Sequence, residues 1–184
     1  MRVYSIVLLA LLSLGALVGC SSQRASSPPA KDNVKNALNE KGLGDINVDE
    51  DRDKGVITLK GDAKDEATRK EAGEIAQAAA PGRVIANELA VRPVGEEGTA
   101  KKIDSNVDDA IESSFKAEIA AHHWENQHIR SDAKNGVLTH TGDVDTSAQR
   151  SEVEKVASKI DGVRQVVNEL QVKGKKTASN ANRD

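Results

Sequence analysis

Reactive and aromatic side chains are almost missing from this 184-residue chain, which has one cysteine, one tryptophan, one tyrosine, one phenylalanine and one methionine. A lone cysteine, Cys20, excludes an intramolecular disulfide. With aromatics at 2% of residues, any core must be built from Val, Ile, Leu and Ala. Charge of one sign is missing too. The net charge is −3, with acidic and basic residues interspersed, so no broad basic face exists to neutralise a phosphate backbone, and nucleic acid is not expected as a partner. No nucleophile elbow, phosphate-binding glycine loop or His-Glu-x-x-His pair is present. The carboxylate pairs Asp65-Glu66 and Asp108-Asp109 fall at expected helix starts, where they offset the dipole. Neither catalysis nor a cofactor is expected.

Long apolar runs are limited to one, over residues 6–17, preceded by Arg2 and followed by polar Ser21-Ser22-Gln23. It is shorter than the ~20 residues a spanning helix needs. Residues 1–19 therefore read as a secretory signal peptide, removed on maturation. Leu17-Val18-Gly19-Cys20 resembles the lipobox of bacterial lipoproteins, which implies lipidation of Cys20 and anchoring by several fatty chains, each buried CH₂ adding about 0.8 kcal/mol. Ser21 follows, where an aspartate would resemble an inner-membrane retention signal, so an outer-membrane address facing the periplasm is expected. Residues 20–31 read as the lipidated N-terminus and a flexible tether, and residues 175–184 as a disordered tail.

Between these ends the chain repeats itself. Lys54-Gly55-Val56-Ile57-Thr58-Leu59-Lys60-Gly61-Asp62 returns as Asn135-Gly136-Val137-Leu138-Thr139-His140-Thr141-Gly142-Asp143, an offset of 81 residues. The same offset carries Asn87-Glu88-Leu89-Ala90-Val91 onto Asn168-Glu169-Leu170-Gln171-Val172, and Arg69 onto Arg150. Turn glycines and aliphatics dominate the matches, which marks a duplicated small domain. Each copy reads as helix, two antiparallel strands joined by a hairpin, helix, and a β-branched third strand. Asp32 is placed to cap the first helix. Gly55, Gly61, Gly136 and Gly142 bracket the repeated strand as structural turn residues. The expected fold is α+β, with domains over 32–95 and 105–174 and a linker over 96–104. In each, two helices pack on one face of a small three-stranded mixed sheet.

Both copies resemble BON domains (bacterial OsmY and nodulation), on Gly55-Val56, Thr58 and Gly61 with Val84, Asn87 and Leu89, and on Gly136-Val137, Thr139 and Gly142 with Gly162-Val163, Val166, Asn168 and Leu170. The signal-tether-repeat-repeat layout is similar to the dual-domain outer-membrane lipoproteins of that family. The resemblance implies binding of membrane phospholipid or an envelope protein in support of envelope integrity. Without the anchor, the layout would resemble the family's osmotically inducible periplasmic member, which keeps chaperone-like binding of other polypeptides open.

The second copy differs where the resemblance places a lipid contact. If Asn33-Val34 aligns with Asn106-Val107, it holds eight extra residues before its first strand, and its helix is longer. Val107, Ala110, Ile111, Ser114, Phe115 and Ile119 form a helical stripe, followed by His122-His123-Trp124-Glu125-Asn126-Gln127-His128. The family implies that this helix meets the lipid surface through Phe115, Lys116, Ile119 and Trp124. Phe115 and Ile119 share the stripe of Val107 and Ile111, so a core role is the simpler reading for both, and Trp124 is the stronger contact candidate. Trp124 lies beyond the stripe, and an indole can bury its ring in an interface while its N–H stays wet. The histidines with Glu125 have zinc-ligand chemistry, but adjacent His122 and His123 point about 100° apart on a helix, and a solvated polar loop without metal is expected. The anchoring assignment has a direct test: palmitate labelling and membrane retention are expected in the wild type and lost in Cys20→Ser, and equal retention in both would refute it.

Overall fold

Alternation in the repeated strand sets the architecture, because Ile57 and Leu59 point to one face of a sheet while Val56 and Thr58 point to the other. The computed structural model describes residues 29–92 and 97–173. The signal peptide, Cys20, most of the tether and the 175–184 tail lie outside the described residues. The first domain comprises α1 (Lys31–Glu40), β1 (Asn47–Asp51), β2 (Val56–Lys60), β3 (Asp62–Ala63), α2 (Glu66–Ala79), β4 (Val84–Asn87) and β5 (Ala90–Val91). The second comprises α3 (Glu97–Ala121), β6 (Arg130–Lys134), β7 (Val137–Val144), α4 (Ser147–Ala157) and β8 (Gln165–Val172). The sheets run β1-β2-β4 and β6-β7-β8, each with one antiparallel and one parallel pairing. The α+β fold and its mixed sheets are as the sequence predicts. Past Gly61, the short parallel pair of β3 with β5 continues the first sheet. In the second domain β7 and β8 run through the same point as eight-residue strands.

The helices cover one face of each sheet. Val34, Leu38, Ile57, Leu59, Ala72, Ala76 and Leu89 make the first core, and Ile111, Phe115, Leu138, Val153, Ala157 and Leu170 the second. Helix starts are fixed by short polar side chains: Asp65 accepts from the Thr68 N–H at 2.7 Å, and Thr146 with Gln149 forms a reciprocal capping box. Asp32 does not cap α1. Its N-cap is Ala30, and the buried Glu50 carboxylate of β1 accepts from the Ala30 and Lys31 N–H groups and pairs with Arg83 at 3.2 Å. The reach of a glutamate from the adjacent strand outcompetes a side chain already inside the first turn.

The expected linker over 96–104 is largely helical, since α3 begins at Glu97. Asp104 on this helix pairs with Arg92 at the end of the first domain. Helical hydrogen bonding thus absorbs most of a stretch whose composition reads as a spacer.

The outer faces of the two sheets pack on each other. Val56 and Ala86 of the first domain join Val137 and Val167 of the second in one buried cluster. These are equivalent positions at the offset of 81, so the same patch of each copy meets the other about a pseudo-two-fold axis. Polar contacts obey the same relation: Lys54 donates to Glu169 at 2.6 Å, and its counterpart Asn135 donates to the Glu88 carbonyl at 2.7 Å. That hydrogen bond to Glu169 raises the Lys54 pKa.

The repeated asparagines lock each second helix to its last strand. Asn87 donates to the Arg69 carbonyl at 2.7 Å and accepts from the Leu89 N–H, while the buried Arg69 guanidinium donates back to the Asn87 and Leu89 carbonyls. Asn168 donates to the Arg150 carbonyl at 3.0 Å and accepts from Leu170, with Arg150 donating to Asn168. Gly73 permits the close approach, because a Cβ there would crowd the Asn87 amide at 2.8 Å. Asn87→Ala is expected to cost about 1–3 kcal/mol by leaving half-buried groups unpaired. A urea midpoint unchanged from wild type would refute that role.

Candidate functional site

The position of α3 over the second sheet sorts the candidate contact residues. Phe115 faces inward, is 1% exposed, and stacks on the His140 imidazole of β7 with ring centroids 4.2 Å apart. Lys116 on the next position is exposed, and Ile119 one turn on is half-buried. Phe115, Ile119 and Ile129 line one recess of about 380 Å³, together with Lys116, Glu112 and Ser131, between α3 and β6. Lys116 and Ile119 are therefore the candidates that present surface to this hollow, while Phe115 is corrected to a core residue whose buried ring floors it.

Trp124 does not join them. It is 7% exposed and belongs to the second core, held by its backbone N–H on the Ile119 carbonyl at 2.9 Å. The turn after α3, with His123 at φ 55°, folds the polar segment back under the helix. Surface contact through the indole is thus corrected: a core so poor in rings has room for this one, and its burial outweighs the polarity of its sequence neighbours. His122 stacks on its ring at 4.4 Å and approaches Glu118 at 3.6 Å, and it is exposed, as are His123, Glu125 and His128. Among the described residues, no three His, Cys, Asp or Glu side chains are grouped to share a metal ion.

The four turn glycines all have positive φ. At Gly142 the requirement is also steric, since a Cβ would overlap the His128 carbonyl.

A larger recess of about 700 Å³ lies between the domains, lined by Lys60, Glu88, Arg92, Asp109 and Asp132 among others. Much of its acidity is already engaged. Asp108 accepts from the Asn135 and Gly136 N–H groups at 2.8 and 2.9 Å, and Glu112 from the Ala133 N–H at 2.9 Å. Burial raises the Glu88 pKa, with Lys60 opposing. Asp108 lies about three turns inside α3, so the expected dipole role is replaced by a clamp on the β6–β7 turn. Its charge is directed into the protein.

A family model described as the BON domain matches residues 28–93 and 107–174. Over 143 residues the chain is 31% identical to the osmotically-inducible protein Y of Escherichia coli (strain K12), an alignment covering 77% of this chain and 65% of that protein. The chain thus spans slightly less than two thirds of that curated relative. Two solved structures of CdsD, a structural protein of the type III secretion system of Chlamydia trachomatis, are similar with TM-scores of 0.34 and 0.33. Both are 11% identical, covering 77% of this chain and 91% and 96% of theirs. A likeness that loose says nothing of function.

Sequence reasoning passed over His140, although the repeat held its signal, for it stands where the first copy has the core residue Leu59. It is fully buried, and neither ring nitrogen has a hydrogen-bond partner. Desolvation lowers its pKa from 6.5 to about 4. The unfolded chain therefore takes up the proton first, so this group's contribution is fully present above pH 6.5 and declines as pH falls toward 4. Over that window the shift corresponds to a loss of about 3 kcal/mol. His140→Leu is expected to remove this acid dependence and raise stability at neutral pH. Identical stability-versus-pH profiles for the two proteins would contradict it.

Proposed function

The chain belongs to the BON-domain family, with two copies of the domain in tandem, and on that premise we propose that it is a periplasm-facing envelope protein, anchored through lipidated Cys20, that contacts membrane phospholipid through its second domain. The observation that carries this reading is the placement of Lys116 and half-buried Ile119 at the α3–β6 recess, above the buried Phe115 ring. An apolar hollow with a cation at its border suits a phospholipid: acyl carbons gain by leaving water, and the ammonium meets the phosphate. The inward-turned Asp108 carboxylate, bound by two backbone N–H groups, removes one source of repulsion toward an anionic headgroup. The role is binding without bond-making chemistry. Family membership and the similarity to an osmotically-inducible protein point to a non-catalytic protein, and they support an envelope setting under osmotic stress.

Vesicle flotation with the Cys20→Ser protein tests the membrane contact free of the anchor. Vesicles of phosphatidylethanolamine and phosphatidylglycerol are expected to carry the protein upward, and Lys116→Glu and Ile119→Asp each to reduce the bound fraction severalfold. Trp124→Ala is expected to act through stability, costing about 3–5 kcal/mol as a buried ring. Absence of flotation with every mixture, or binding indifferent to both recess variants, would overturn the proposal.

A further inference from the structure

The pseudo-two-fold contact between the domains is broken at Gln165 and its counterpart Val84, and the break leaves a strand edge open. β4 is the outer strand of the first sheet. The Val84 and Glu88 N–H groups bond to β2 and its flanks, so by alternation those of Ile85 and Asn87 point outward. The outward Ile85 carbonyl and Asn87 N–H are closed by one side chain from the other domain: the Gln165 carboxamide donates to the Ile85 carbonyl and accepts from the Asn87 N–H at 3.2 Å. A primary amide there does what one peptide group of an added strand would do. Arg164 beside it approaches Glu66 at 3.7 Å.

The equivalent edge in the second domain belongs to β8. The Gln165 and Lys173 N–H groups bond to β7 and its flank, which directs the backbone groups of Val166, Asn168, Leu170 and Val172 outward. Arg150 and the Asn168 side chain occupy the Asn168 carbonyl and the Leu170 N–H. Among the described residues nothing bonds the Val166 carbonyl or the Asn168 N–H, the counterparts of the pair that Gln165 closes. The residue symmetric to Gln165 is Val84, which has no amide to offer.

Recesses flank this edge on both sides. One of about 520 Å³ lies between α4 and the start of β8, bordered by Ser151, Lys155 and Val166. The other, of about 320 Å³, is lined by Val84, Val167, Asn168 and Val172 and is continuous with the buried interdomain cluster. Val84 is 47% exposed and Val172 41%, two of the three large exposed hydrophobics among the described residues.

We propose that the outer edge of β8 is a docking site for an extended segment of another polypeptide, whose backbone or side-chain amide bridges the Val166 carbonyl and the Asn168 N–H. The occupant's chemistry is set by the closed copy of the same edge, where an amide from a β-branched segment fills the pair. Alternate side chains of such a segment fall into the two flanking recesses, as strand addition requires. Asn168 and Arg150 occupy the middle of the edge, so the added pairing is short and selects for an amide at one place. The site extends the polypeptide-binding reading and is independent of the α3 recess.

The test uses the full chain and an end-capped Val-Arg-Gln-Val-Val peptide, the sequence of residues 163–167 that closes the first edge. In the wild type the peptide is expected to shift the backbone amide resonances of 166–172 and slow exchange of the Asn168 N–H. In Val84→Gln, which supplies the missing amide from within, Asn168 exchange is expected to be slow without peptide and the peptide response lost. Because position 84 is exposed, the melting temperature should equal or exceed that of the wild type. Lys116→Glu should retain the response, which separates this site from the membrane contact. A peptide that leaves 166–172 unperturbed, a response that survives Val84→Gln, or a wild-type dimer abolished by Val84→Gln, which would make the occupant a second copy of this chain, overturns the proposal.

Discussion

A three-stranded sheet with helices on one face has a second face to dispose of, and that constraint organises this molecule. Each domain is too small and too poor in rings to bury a wide surface alone. The outer faces, presenting Val56 and Ala86 in one copy and Val137 and Val167 in the other, cover each other. Duplication thus supplies both the apolar surface and the partner that removes it from water. The helical continuation of α3 back to Glu97 and the Arg92–Asp104 pair tie the second domain to the end of the first.

Pairing like with like makes the contact nearly symmetric, and the residues that differ between the copies give each domain its own character. Lys54 and Asn135 reach across in equivalent ways, one to a carboxylate and the other to a carbonyl. Gln165 and Val84 do not, so one strand edge is sealed, while among the described residues its duplicate has no partner for the Val166 carbonyl and the Asn168 N–H. Natural sheets usually blunt such edges, and here Arg150 and Asn168 do so only in the middle of β8.

The second domain also carries the larger helix, the single phenylalanine and the buried histidine, and these work as one unit. Phe115 stacks on His140 beneath the α3–β6 recess. Where the first copy has a leucine, this imidazole has no hydrogen-bond partner, and its desolvation places the expected acid sensitivity in the domain with the proposed membrane contact. The acidic interdomain cleft meets that recess at Glu112, whose carboxylate is held by the Ala133 N–H.

The duplicated pattern was legible because period-two alternation, turn glycines and the Asn-Glu-Leu motif are local consequences of backbone geometry. They determined two αββαβ units, the hairpins and the placement of Gly55, Gly61, Gly136 and Gly142 at positive φ. Tertiary structure alone decided which neighbour each side chain meets. Polar surroundings at 122–128 suggested exposure for Trp124, yet the chain reverses after α3 and the ring enters the core. Asp108-Asp109 resembled a helix start until three further turns of helix preceded it, and Asp108 then served a hairpin turn 27 residues away. Val56 and Val137 were readable as one sheet face, but nothing local says that this face finds its own copy, because hydrophobic burial is non-directional and only the folded arrangement selects the partner.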